Sequence, residues 1–439
     1  MVKRLLLAEN VPCLNKGEET ILQGMLESFN SLGDFQLSML STNPQLDKSR
    51  YGSKIKILDI RQYLLFFGDR GFKSRLSKII SSMIFLLNHI GFLCLFKLMG
   101  SKVFSLYRSP IWKEYIISDV IIIGHNGAFG IGGGPSIPVI GYPIFMSFFA
   151  KKMNKVSILY AGSIKDPKTL GILTRMAYRF ALEHLDLITL RENISYERCI
   201  DLGVKNESIY VTSDLAFLMK PETDDRVYEI MAKEGLQESN MPLIGMTVTR
   251  EKANIAYPYL DPDQSYNEHI RVLVNIIDEI ISNTNALFVF LPHCIGPDPF
   301  RDDRLAAKDI YSRSSMKDHI ILIETEYNAA ELKGLIGKFD LFIGERIHSV
   351  INAMSMGVPV IALSNGADER LEIIRMFGQK NAIYPIEDLQ SQPFVNKICD
   401  ILVDSMDLRE IMVAQLTETI HKSMLNGSLL NHLVTSQSE

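Results

Sequence analysis

Short apolar runs alternate with stretches of helical periodicity along most of the chain. Leu5–Ala8, Phe35–Leu40, Val120–Ile123, Val156–Tyr160, Leu187–Leu190 and Ser208–Val211 read as strands, and segments such as Glu18–Ser31 lie between them as helices. Most runs are apolar at consecutive positions, which a strand needs when both its faces are buried, so the pattern predicts a parallel sheet covered by helices on both sides. A polar stretch from about Lys220 to Met241 interrupts the alternation. It resumes with strands at Leu243–Val248, Leu287–Leu291, Ile320–Ile323, Leu341–Ile343 and Val360–Leu363, and a last one near Ala382–Tyr384. The economical architecture is α/β, with two Rossmann-like domains facing each other across a cleft. Their expected limits are residues 1–235 and 236–405, followed by a C-terminal helix and tail over 406–439; helical periodicity from about Leu389 to Leu425 suits a segment that crosses back to brace the first domain, and the residues past Asn426 read as frayed.

A length of 439 residues exceeds what one core ordinarily organises, in keeping with two domains. With 47% hydrophobic and 22% charged residues the chain is a folded one rather than a disordered one. A net charge of -5 removes the electrostatic reason to expect nucleic acid, so an anionic substrate has to be held by local arginines. The five cysteines, at 13, 94, 199, 294 and 399, form no CxxC pair, which argues against zinc ribbons and disulfide frameworks and fits a reducing cytoplasm. The apolar stretch at the N-terminus is too short for a signal peptide and reads as a first buried strand. Ile79–Met99 comes near the roughly 20 residues of a spanning helix, but Asn88, His89 and Lys97 interrupt it. Flanked by Lys73, Arg75, Lys78, Lys97 and Lys102, it reads either as a helix buried on the first domain or as an interfacial helix drawn to anionic lipid at the inner face of a membrane.

The segment Phe339–Leu363 carries the most chemistry. An apolar strand, a helix with Ile347, Val350, Ile351 and Met354 at helical spacing, a Gly357 stop and a second strand make a compact βαβ unit. Ligands of such units collect beyond the carboxyl ends of the strands, where free N–H groups at the next helix start favour negative charge. Arg346 and His348 fall there, either as an anion grip and a proton-transfer group or as a structural ion pair and a helix cap. Near the N-terminus, Asn15-Lys-Gly17-Glu18-Glu19 sets a glycine in a turn before two acids, suited to close backbone approach and to a carboxylate base, or simply to the helix macrodipole. Ile123–Gly134 is a glycine-dense loop containing Gly124 and Asn126; lacking the GxxxxGK[ST] form, it does not indicate nucleotide triphosphate hydrolysis. Ser163 and Arg191 also follow strands. His293 ends another, with Asp302 or Asp303 placed to orient its imidazole. No HxxxH or paired-carboxylate spacing supports a metal site.

Taken in order, Asn15-Lys-Gly-Glu-Glu, Gly124–Gly127, Gly162-Ser-Ile, Asp186–Glu192 with Ser195, Val211-Thr-Ser-Asp214, Pro292-His293, Asp302-Asp303 and Asp340–Ser349 with Gly357-Val-Pro359 resemble the polysaccharide pyruvyl transferase family over Leu5–Gly378. The resemblance implies a GT-B-like cytoplasmic transferase of surface polysaccharide biosynthesis. Such an enzyme moves pyruvate from phosphoenolpyruvate, its co-substrate, onto a sugar, oligosaccharide or lipid-linked glycan as a ketal, with no cofactor and no metal. The second domain would hold phosphoenolpyruvate and the first the acceptor. By motif position Arg346, Arg191 and His293 would hold phosphate and carboxylate, His348 would donate the proton, and Glu18 or Glu19 would serve the acceptor hydroxyl. Asn15, Gly17, Gly124, Asn126, Ser163 and Ser349 would line the site. Two departures stand out: Glu18 occupies a usual aspartate position, and the turn Leu363–Arg370 lacks the family's lysine, with Arg370 its nearest substitute. A glycosyltransferase using a sugar nucleotide, and a non-catalytic scaffold of a polysaccharide assembly complex, fit the same architecture.

Overall fold

The computed structural model describes residues 2–60, 87, 90–106, 109–129, 147–236, 241–364, 368–389 and 392–436, except the side chains of residues 105 and 126–129. Most of the candidate interfacial helix, the glycines from Gly130 to Gly134 and part of the turn after Ser364 lie outside the described residues. Two compact units divide the chain. The first comprises Met1–Cys13, Ser28–Ser213 and Met424–Glu439; the second comprises Leu14–Glu27 and Asp214–Ser423.

The boundary therefore falls at Ser213/Asp214 rather than near residue 235. The polar stretch that reads as a linker contains the amphipathic helix Asp224–Lys233, whose Val227, Ile230 and Met231 enter the core of the second unit. Leu14–Glu27 joins that unit because its start is tied to the loop after one of the unit's strands. Lys16 N–H donates to the His293 carbonyl at 2.8 Å, Ile295 N–H donates to the Leu14 carbonyl at 3.0 Å, and Asn15 bridges Cys294. The last helix, Ser405–Ser436, does not fray after Asn426. Its residues from 424 onward belong to the first unit, where Asn426 donates to the Ser213 carbonyl, accepts from Thr212 Oγ1, and is followed by buried Leu430 and Val434.

The first unit holds a seven-stranded parallel sheet in the order β3-β2-β1-β4-β5-β6-β7. Its strands are β1 Lys3–Asn10, β2 Phe35–Ser41, β3 Ile55–Asp59, β4 Val120–Phe129, β5 Val156–Ile164, β6 Leu187–Leu190 and β7 Ile209–Val211. Strand β3, with only three apolar residues in five, is the one the hydrophobic pattern does not announce. The glycine-dense loop also starts later than expected, because β4 continues through Gly124, His125 and Asn126 to Phe129. It stays paired with β5 across three register shifts.

The second unit holds a six-stranded parallel sheet, β10-β9-β8-β11-β12-β13. Here β8 is Leu243–Thr247, β9 Leu287–Phe290, β10 Ile320–Leu322, β11 Leu341–Gly344, β12 Val360–Ser364 and β13 Ile383–Pro385. Two separate cores explain its consecutive apolar runs. Ile244, Met246, Phe288, Phe290, Leu341, Ile343, Ile361 and Leu363 face one side, while Leu287, Val289, Phe342, Val360 and Ala362 face the other. The helix Ile347–Ser355 is buried at every position, gives Ile347, Val350, Ile351, Ala353 and Met354 to the second core, and stops before Gly357, whose φ of 70° is left-handed as a helix C-terminus favours.

In each sheet the chain winds outward in one direction and then in the other. The reversals lie between β1 and β4 in the first sheet and between β8 and β11 in the second. Crevices at the carboxyl ends of such strand pairs are where ligands of doubly wound sheets collect.

Candidate active site

In the second unit the loops leaving β8, β9, β11 and β12 meet at that reversal. After β11 come Glu345, Arg346 and His348, and after β8 come Thr249, Glu251 and Lys252. The loop after β9 supplies His293, that after β12 supplies Asp368 and Arg370, and the start of the helix Lys16–Ser28 supplies Asn15 to Glu19.

His348 sits in the first turn of its helix, buried at 6% exposure. Its Nε2 lies 3.9 Å from Asp214 Oδ2, while the other Asp214 oxygen accepts from Ala216 N–H and starts a short 3-10 helix. Gly17 closes the opposite side of the ring: a Cβ built there would stand 2.8 Å from His348 Nδ1. Asn15 makes that approach regular, its Oδ1 accepting from the N–H groups of Gly17 and Glu18. Asn15 and Gly17 thus shape the place of His348, the first as a helix cap and the second by having no side chain.

Arg346 is not an open anion grip. Its Nε and Nη2 donate to Asp303 Oδ1 at 3.2 and 2.8 Å, and Nη1 donates to Glu251 Oε2 at 2.6 Å. Burial alone would lower its pKa, but the charge and hydrogen bonds of Asp303, with Glu251 behind them, hold it above the usual guanidinium value. Asp303 Oδ2 also accepts from the backbone N–H groups of His293 and Cys294. Burial pushes this carboxyl up to about 6 against the pull of Arg346, so at neutral pH the pair is ionised and locks the β9 and β11 loops together. Glu345 adds a second lock, accepting from Thr249 N–H and meeting His269 Nε2 at 2.7 Å.

His293 differs from its expected setting. Asp303 bonds its backbone, not its ring, and Asp302 bonds Arg304; the imidazole instead lies 3.4 Å from Asn352 Nδ2. Burial first, then the charges of His348, Arg346 and Lys16, push its pKa well below the ordinary value, so the ring is neutral. Ser349 is fully buried, its hydroxyl bonded to the Arg346 carbonyl at 2.6 Å and lying 2.9 Å from Thr247 Oγ1. It holds the β11-to-helix turn instead of lining a ligand site. Glu19 is buried against Lys16, whose Nζ lies 3.3 Å from Glu19 and 3.1 Å from Glu326. Glu18 is half-buried and within electrostatic reach of Arg370.

Lys252 is the residue sequence reasoning missed. From the helix Arg250–Ala256 its ammonium reaches Ser364 Oγ at 3.2 Å, and among the described residues it forms no ion pair. Arg370, expected to replace the family lysine, is instead clamped by both oxygens of Asp368. A lysine therefore does stand beside the β12 turn, supplied by the β8 loop. Burial lowers its pKa, Asp368 opposes the shift, and Arg370 adds to it. Position two after a strand-end Thr-Arg was the available signal, but nothing in it pointed to Ser364.

Four expected residues belong to the first unit. Arg191 is buried at 1% exposure, with Nε donating to Ser163 Oγ at 2.8 Å and lying 3.3 Å from Glu192. Gly124 is a paired position of β4, and Asn126 follows it in the strand, with a side chain outside those described. Between them stands His125, part of the same β4 segment. Both its backbone N–H and its Nδ1 meet Glu9 Oε2, at 2.9 and 2.6 Å, at the reversal between β1 and β4.

Comparisons with known proteins bear on this arrangement. The chain is 24% identical over 417 residues to the amylovoran biosynthesis protein AmsJ of Erwinia amylovora, covering 94% of this chain and 95% of that one. Its fold is similar to UDP-GlcNAc 2-epimerase from Neisseria meningitidis, at 12% identity and a TM-score of 0.58 over 98% of this chain and 99% of that one. HepE of Anabaena, in complex with UDP and glucose, gives 11% identity and a TM-score of 0.56 over 99% of this chain and 100% of that one. At such identities the likeness carries the fold class alone, two parallel-sheet α/β domains of GT-B type. Residues 15–367 match the polysaccharide pyruvyl transferase family, and the chain belongs to it.

Proposed function

We propose that this protein transfers pyruvate from phosphoenolpyruvate to a sugar of a surface polysaccharide or its lipid-linked precursor, forming a ketal. The observation that carries the reading is the pairing of a placed imidazole with an uncommitted cation at one strand-end crevice: His348 between Gly17 and Asp214, and Lys252 against Ser364. Every other cation described around it is held by carboxylates, so Lys252 and the N–H groups opening the helix Ile347–Ser355 are the natural partners of an incoming phosphate or carboxylate. Arg346 acts behind them as the group that fixes the loops.

Protonation of the phosphoenolpyruvate methylene carbon by His348 leaves the adjacent carbon electron-poor. An acceptor hydroxyl adds there and loses its proton to a base, the bond from that carbon to the phosphate oxygen breaks and releases phosphate, and a second hydroxyl adds at the same carbon, giving up its proton to the now neutral His348, to close the ketal. Glu18 suits the base better than Glu19, which Lys16 already engages. The acceptor is assigned to the first unit, where Arg191, Ser163 and the Glu9–His125 pair stand at carboxyl strand ends. AmsJ, named for amylovoran biosynthesis, supports an exopolysaccharide as the product.

The test is phosphate release from phosphoenolpyruvate with pyruvylatable galactose- and mannosamine-type acceptors, run beside calorimetric titration with phosphoenolpyruvate and with uridine nucleotides. Binding and turnover of phosphoenolpyruvate support the assignment. Uridine-nucleotide binding without either would replace it with a sugar-nucleotide transferase.

A further inference from the structure

One face of the first unit is apolar where it should be polar. The helix Ile172–Glu183 turns Thr174, Tyr178, Ala181 and Leu182 into the unit, yet its outer side carries Ile172, Leu173, Met176 and Phe180 at 75, 81, 64 and 39% exposure. These positions recur at helical spacing and form one stripe, not scattered single residues. The stripe continues onto neighbouring segments. Phe180 packs near Phe148, with ring centroids 6.4 Å apart, and against His184 at 4.1 Å; Phe148 and His184 then line a hollow of about 400 Å³ with Lys97, Lys151, Lys152 and Asn154. Leu98, beside Lys97, is 81% exposed.

The charge of this face is opposite to that of the protein. The chain carries a net -5, but Lys97, Lys151 and Lys152 converge on the hollow, and among the described residues none of the three pairs with a carboxylate. Lys152 instead lies over the Phe148 ring at 5.2 Å. Arg175 is exposed between the apolar positions of the helix, and the one acidic residue of that helix, Glu183, is taken by Arg179. Exposed leucine, isoleucine and methionine bordered by unpaired lysines suit an interface with apolar depth and negative headgroups. No helix among the described residues is long and apolar enough to cross a membrane, so the contact would be a surface one.

We propose that this face docks the protein peripherally on an anionic bilayer. The docking surface is the Ile172–Phe180 stripe with the Lys97, Lys151 and Lys152 rim. It differs from the Ile79–Met99 helix suggested by hydropathy, sharing with it only the end at Lys97 and Leu98. The stripe runs along the helix that follows β5, from Ile172 near the carboxyl end of that strand back to Phe180 and His184, where the lysine rim lies beside the amino ends of β5 and β6. The inference is independent of which donor the second unit takes.

Flotation of the full-length protein with vesicles of phosphatidylcholine alone, and with phosphatidylglycerol added, decides the matter. The expected result is binding to the anionic vesicles only, weakened by salt. Lys151→Glu with Lys152→Glu should reduce it by at least about tenfold, and Leu173→Asp with Met176→Asp should abolish it even at low salt. All four positions are exposed, so unchanged melting temperatures are expected and separate lost docking from lost folding. Failure of the wild-type protein to float, equal flotation on neutral vesicles, or undiminished flotation of both variants would overturn the proposal. A self-association or protein-docking role for this face predicts the first of these outcomes.

Discussion

Gly17 and His348 are in contact although one lies in the second unit's first segment and the other in the crossover from β11 to β12. An added Cβ on Gly17 would meet His348 Nδ1 at 2.8 Å and His348 Cβ at 3.1 Å, closer than a methyl group and an imidazole approach without displacement. Gly17→Ala should therefore push the ring off its position beside Asp214. Turnover is expected to fall roughly 10- to 100-fold, as small misplacements of a reacting group do, with about 1–3 kcal/mol of overpacking. Steady-state phosphate release and a urea titration measure the two effects; unchanged turnover would remove His348 from the reaction.

Lys252 gives a second expectation. Lys252→Met should raise the KM for phosphoenolpyruvate by on the order of tenfold or more while leaving the acceptor KM nearly unchanged, because a lost charge-assisted hydrogen bond to an anion is worth about 1.5–3 kcal/mol. Lys252→Arg should restore part of it. Since burial lowers the pKa of this ammonium, phosphoenolpyruvate binding should weaken on the alkaline side earlier than an ordinary lysine would allow. A flat pH profile combined with an unaltered KM in the methionine variant would assign Lys252 to structure.

The Arg346–Asp303 pair predicts a coupled loss. Arg346→Ala leaves a buried carboxylate without its cation, a change that costs about 3–5 kcal/mol. The deficit should be larger at about pH 8 than at about pH 5.5, because Asp303, already pushed up to about 6, escapes the penalty by taking a proton. Equilibrium unfolding of the wild type, both single variants and the Arg346→Ala/Asp303→Asn double variant closes a cycle whose coupling term should be clearly non-zero.

His293 links stability to pH in a definite direction. Its folded pKa lies well below 6.5, so as pH falls past about 6.5 the unfolded chain takes a proton that the native ring refuses, and stability drops by up to about 1.4 kcal/mol per pH unit. Asp303 acts oppositely, its raised pKa favouring the native state as pH falls through about 6. Comparing wild type with His293→Gln between about pH 7.5 and 5.5 isolates the imidazole, and the variant should show the shallower loss. Parallel slopes would mean that the ring is protonated in the fold.

Much of the scaffold was legible along the chain because strands buried on both faces must be apolar at consecutive positions, as Phe288–Phe290 and Leu341–Ile343 are. Short Ile55–Asp59, half exposed, lacks that signature and was missed. The helix Asp224–Lys233 was hidden for a related reason: its polar face dominates the composition, while three apolar residues suffice to seat it. Strand-end placement likewise singled out His348, Arg346, His293 and Gly17. It could not tell a working side chain from a supporting one, since Ser349 and Arg346 satisfy the same positional rule as His348 and have all their polar groups engaged inside the protein or with carboxylates.

The sequence by itself determined the two parallel α/β sheets, the edges where chemistry can occur and the family, because each rests on local periodicity or on motifs read in order. Only the tertiary structure decided how the charges are distributed. Glu251 and Asp303, which neutralise Arg346, stand 95 and 43 positions from it, and Lys252 meets Ser364 across 112. Electrostatic pairing depends on distance in space over a few ångströms, and folding sets that distance between residues whose separation along the chain carries no trace of it.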